Sequence, residues 1–130
     1  MELEHMPLVR QLDLVFRQLN DELAQLSSGL IFVHIRNNVI GKFGIRHDPI
    51  QSKGGGLKPR GQGLSEMQRM AFRQLALESL KYKTNWTHGE IQFEFALQNN
   101  MLVASVQFES NYNMAALFGR DKQAKMPTSV

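Results

Sequence analysis

The stretch with the most chemical promise is SKGGGLKPRGQGLSEMQ, residues 52–68. Gly56 and Gly61 bracket four residues, the glycine spacing of a loop that wraps nucleotide phosphates. Such a loop continues with Lys and then Ser or Thr, the ammonium for the outer phosphates and the hydroxyl for magnesium. Here Gln62 and Gly63 follow instead, and the loop does not leave a buried strand, so nucleoside-triphosphate hydrolysis is excluded. A dinucleotide site fails as well, because no strand–helix–strand parallel unit surrounds the glycines. A plainer anion site remains. The start of a helix offers free N–H groups and the positive end of its dipole. Lys53, Lys58 and Arg60 stand just before that start, and Arg69 and Arg73 lie within the helix. These five are the expected contacts to phosphate, with the glycines of 54–63 letting the backbone adapt. The alternative is a solvated connector whose cations only keep it soluble.

Catalytic constellations are thin. With no cysteine, disulfides, thiolate zinc sites and a thiol nucleophile are excluded. His5, His34, His47 and His88 show no metal-ligand spacing within one element. His47, Asp48 and His88 would make a metal or acid–base site only if the fold brought them together. Glu90, Glu94 and Glu109 fall on one face of a hairpin, but alternation with glutamines describes a solvated face. No catalytic residue, metal or cofactor is expected, and the protein is read as a binding protein without enzymatic activity.

The elements that must position these residues are legible in the periodicity. Leu8, Leu12, Val15, Leu19, Leu23 and Leu26 recur at helical spacing over 7–27, with Pro7 in the first turn and Ser27-Ser28-Gly29 as the stop. The period then drops to two. Residues 30–36 and 39–46 flank Asn37-Asn38, a pair that tolerates the positive φ of a tight hairpin. Ser65 and Gln68 form a capping box that opens a second helix running to about Tyr82. In 90–98 and 101–109 the alternation is strict. A two-residue turn at Asn99-Asn100 pairs Leu97 with Leu102, Phe95 with Ala104, Phe93 with Val106 and Ile91 with Phe108. A short helix is expected over 112–119, and a disordered polar tail over 121–130.

The order is therefore α-β-β-α-β-β. The fold expected is α+β, a four-stranded, mainly antiparallel sheet with two helices on one face, in a single domain over 1–120. Phe-Arg-Gln-Leu occurs in both helices, at 16–19 and 72–75, and both hairpins turn on Asn-Asn. That repetition fits an internal duplication, or simply the preference of hairpins for Asn.

The first hairpin is unlike the second. By strict alternation, Leu30, Phe32, Val39, Phe43 and Ile45 share one face and Ile31, Val33, Ile35 and Ile40 the other. Both faces are then apolar, and something should cover the outer one. Phe32, Val39, Phe43 and Ile45 are accordingly the expected partner or homodimer interface. The alternatives for that cover are the first helix and the segment 112–118. With Arg36, Arg46 and His34 beside them, Phe32 and Phe43 also suit base stacking, as do Tyr82 and Trp86.

Composition sets the outer bounds. At 130 residues, 42% hydrophobic and 21% charged, the chain suits one folded domain and not a disordered one. The net charge is only +3, but residues 34–88 hold ten bases against three acids, a net of +7. That segregation favours an anionic partner, nucleic acid first, reached through the basic loop. A protein adaptor or inhibitor docking through the hairpin 30–46 is the rival. The acidic, amphipathic start does not resemble a secretion signal, and no apolar run spans a bilayer, so a cytoplasmic location and no membrane partner are expected.

Overall fold

The computed structural model describes residues 5–59 and 61–123, with side chains as far as 118. Arg60 and the tail beyond Gln123 lie outside the described residues. The elements are α1 (Leu8–Gln18), α2 (Asn20–Leu23), β1 (Ser28–Arg36), β2 (Val39–His47), β3 (Ser52–Lys53), β4 (Gly56–Leu57), α3 (Glu66–Ser79), β5 (His88–Gln98), β6 (Met101–Ser110) and α4 (Met114–Gln123). The main sheet is antiparallel in the order β2-β1-β5-β6, so each hairpin supplies one central and one edge strand. A two-strand ribbon, β3–β4, stands apart from it. No described helix is long and apolar enough to cross a membrane.

Both long helices cover the same face of the sheet. Leu12, Val15 and Phe16 of α1 and Phe72 and Ala76 of α3 are buried with Ile31, Val33, Ile35, Ile91, Phe93 and Phe95. At the centre, the Phe16 ring meets Phe72 edge-on at 5.3 Å and Phe93 at 5.6 Å. The two halves thus meet through the phenylalanines of their repeated Phe-Arg-Gln-Leu segments. Aromatic pairs in this geometry contribute about 1 kcal/mol beyond the area they bury.

Local signals in the sequence act as expected at the turns. Asn37, Asn38, Asn99 and Asn100 all have φ between 51° and 61°, the left-handed pair a two-residue hairpin needs. Ser65 Oγ accepts from the Gln68 N–H while Gln68 Oε1 accepts from the Ser65 N–H, closing the capping box. The register of β5 and β6 is the one the alternation dictates, from Ile91 opposite Phe108 to Leu97 opposite Leu102. The first helix is interrupted: α1 ends at Gln18, and a short turn of helix from Asn20 carries Leu23 into the core. The last helix begins at Met114 and runs to Gln123, further than the 112–119 expected.

One register differs from strict alternation. Val33 lies opposite Phe43 and Ile35 opposite Ile40, so His34 alone faces both Gly41 and Lys42. That extra residue is a β-bulge, and it reverses the phase of everything after it in β2. Phe43 and Ile45 therefore turn inward, where both pack against the core, while Lys42, Gly44 and Arg46 turn outward.

Candidate nucleic-acid interface

The bulge redraws the outer face of the first hairpin. Of the four residues expected as a docking interface, Phe32 and Val39 remain on that face, but Phe43 and Ile45 belong to the helix-covered side. The expected two-sided apolar hairpin is thus a sheet with one apolar face and one mixed face. Neither alternative cover lies over it: α1 packs on the opposite side, and the exposed residues 112–118 sit by Asn37 and His88 at one end of the sheet. Phe32 lies opposite Gly44, where a Cβ would come within 2.9 Å of its ring, so the aromatic covers the bare glycine backbone. Its other neighbours are Lys42, with Nζ 5.9 Å from the ring centre, and the His34 ring at 5.6 Å.

The cations fall into two groups. Arg69 is half-buried and tied to the protein, donating from Nε to Asn20 Oδ1 at 3.0 Å and from Nη1 to the Leu64 carbonyl at 2.6 Å. Arg73 Nε lies 3.6 Å from Asp13, which Arg17 also contacts at 2.8 Å. Lys81 is paired with Glu78, whose hydrogen bond and charge hold the ammonium above its ordinary pKa. In contrast, Arg36, Lys42, Arg46, Lys53 and Lys58 have no carboxylate partner among the described residues. Arg36, Lys42 and Arg46 share the outer face of β1–β2, and the ribbon carrying Lys53 and Lys58 continues from the end of β2.

The five expected phosphate contacts are therefore not one cluster. Lys53 and Lys58 are exposed on the ribbon, whose turn is Gly54-Gly55 at φ 69° and 92°. The start of the glycine-rich stretch, 52–57, is thus a small hairpin, and Gly54 and Gly55 serve its turn. Arg69 ties α3 to α2 and Arg73 ties it to α1, and Arg60 is outside the described residues. The start of α3 is also less inviting than the sequence suggests, since the capping box uses the Gln68 N–H and Glu66 places a carboxylate in the first turn. Of the expected stacking aromatics, Trp86 is buried and Phe43 faces the core, which leaves Phe32 on the sheet surface and Tyr82 on the turn after α3.

Sequence reasoning missed a meeting of Ser28, His47 and Asp48 at a recess of about 490 Å³. The Ser28 hydroxyl donates to Asp48 at 2.5 Å, and His47 Nε2 lies 2.6 Å from Glu22. In the Ser-His-Asp arrangement the serine gives its proton to the imidazole. The single O–H of Ser28 is directed at the carboxylate instead. His47 and His88 do not converge either, because His47 pairs with Gly29 and His88 with Arg36, at opposite ends of β1. Among the described residues no group of three His, Asp or Glu is arranged to hold a metal ion.

No family model, curated protein or solved structure matches the chain.

Proposed function

We propose that this is a non-catalytic binding protein of the cytoplasm that takes an anionic partner, single-stranded nucleic acid, along the outer face of β1–β2. The observation that carries this reading is the row of cations, Arg36, Lys42 and Arg46, without a carboxylate partner among the described residues and with the Phe32 ring among them. Strand geometry spreads Arg36 to Arg46 over roughly 20 Å, a length that several phosphates can follow. Cations along a groove with an aromatic for a base to stack on are the recurring parts of single-strand recognition. Lys53 and Lys58 extend the positive strip onto the ribbon, whereas Arg69 and Arg73 have structural work to do. The adaptor alternative loses much of its anchor once Phe43 and Ile45 face the core.

The test is anisotropy of a labelled single-stranded oligonucleotide titrated with the full chain. With about four phosphates neutralised, affinity should fall about fiftyfold between roughly 50 and 200 mM salt through counterion release. Lys42→Glu should abolish most of the binding, and Phe32→Ala should weaken it by about tenfold or more. No binding at low salt overturns the proposal. Binding that ignores salt points to an uncharged contact and overturns it as well.

A further inference from the structure

The repeated segments allow one half of the molecule to be used as a control for the other. Phe16-Arg17-Gln18-Leu19 of α1 and Phe72-Arg73-Gln74-Leu75 of α3 occupy equivalent places, each with its Phe buried and its Arg directed at Asp13. At the same spacing, Gln11 and Val15 of α1 and Leu19 at its C-terminal cap correspond to Met67, Ala71 and Leu75 of α3. The first three are sealed, at 3%, 4% and 7% exposed. Their counterparts are open: Met67 is 82% exposed, Leu75 38%, and Ala71 is exposed too. Burial of the α1 stripe has a visible cause. Gln11 Oε1 accepts from the Ile40 N–H at 2.7 Å and its Nε2 donates to the Asn38 carbonyl at 3.1 Å, clamping α1 over β2.

The strands beside these stripes differ in the same way. The β2 edge is interrupted by its bulge, carries an outward Lys42, and has the Ile40 N–H occupied by Gln11. These are devices by which a sheet edge avoids joining another. The β6 edge has none of them. Its ten residues pair with β5 without a bulge, contain no proline and carry one charge, Glu109. Its core-facing row, Leu102, Ala104, Val106 and Phe108, is only partly buried, where Ile91, Phe93 and Phe95 beside it are sealed.

We infer that a second copy of this chain covers the β6 edge, strand to strand and antiparallel about a two-fold axis, with the open flanks of the two α3 helices packed across it. An isologous contact of this kind makes one eight-stranded sheet and leaves the free β2 edges at its ends. Charge permits it. With the axis near Ser105, Glu109 meets the second copy's Met101, and the uncharged Met67, Ala71 and Leu75 face their own kind. The area suffices too. Ten residues of strand run about 34 Å, and a sheet with one helix layer is roughly 20 Å thick, close to the roughly 800 Å² per partner that a stable dimer buries. This inference stands independently of the nucleic-acid proposal, since it uses the opposite edge of the sheet.

Light scattering on the full chain tests it. The wild type should have about twice the monomer mass of 14.8 kDa. Leu75→Glu, at a site exposed in the monomer, should weaken the dimer about a hundredfold or more and shift the mass to 14.8 kDa. Val9→Glu, on the exposed side of α1, should leave the dimer intact. In the wild type, amide exchange along β6 should slow as the protein is concentrated. A monomeric wild type at ~100 μM, well above the dissociation constant of a stable dimer, overturns the inference. So does a Leu75→Glu protein that keeps the dimer mass, or β6 exchange indifferent to concentration.

Discussion

At the scale of single residues, Gln11 shows how one polar side chain can organise an apolar face. It is buried, yet it satisfies the Ile40 N–H and the Met6 and Asn38 carbonyls across distances in sequence of up to 29 residues. Replacement by alanine strands those backbone groups in a dry site. Gln11→Ala should cost about 3 kcal/mol in a urea titration, more than trimming an exposed neighbour such as Leu14. Phe32 makes the opposite use of a large side chain, lying over Gly44 at the surface and not in the core. The sequence marks Phe32 correctly as an outward aromatic. It cannot mark Gln11, because a glutamine on a helix reads as solvent-facing until the strand beneath it is known. Nor can it separate Arg69 from Lys58, since both are simply cations until one is seen to reach Asn20 and the Leu64 carbonyl.

At the scale of elements, the bulge in β2 is the decisive event. Strict alternation works for β5–β6 because nothing interrupts the ladder from Gly89 to Gln98. In β1–β2 one surplus residue between Ile40 and Phe43 sends Phe43 and Ile45 to the core. Deleting Gly41 should therefore restore a regular ladder with the same residues inside. The shortened protein should unfold within about 1 kcal/mol of the wild type. Deleting Gln92 from the uninterrupted β5 should instead reverse the face of every residue after it, and no cooperative unfolding transition should remain. Circular dichroism during a thermal melt distinguishes the two. The capping box of α3 is a smaller matter: Ser65→Ala should cost about 1 kcal/mol, or a few degrees of Tm.

At the scale of the whole molecule, the positive charge of the mid-chain segment divides between two duties. Arg69 and Arg73 join the helices, and Arg36, Lys42, Arg46, Lys53 and Lys58 face outward toward β2 and the ribbon. Neutralising Lys53 and Lys58 together should therefore lower oligonucleotide affinity and reduce the salt slope by about 1.4, without moving the unfolding midpoint. The double change Arg69→Ala, Arg73→Ala should do the reverse, lowering stability by about 2 kcal/mol through the loss of the Asn20 and Asp13 contacts. From the sequence alone come the α-β-β-α-β-β order, the Asn-Asn turns, the capping box and the register of β5–β6. All of these are set by local dihedral preference and by periods that a single chain segment displays. Only the tertiary structure decides the phase of β2 after its bulge, which cations are spent on internal contacts, and which sheet edge is left open. Each of those depends on residues brought together from distant parts of the chain.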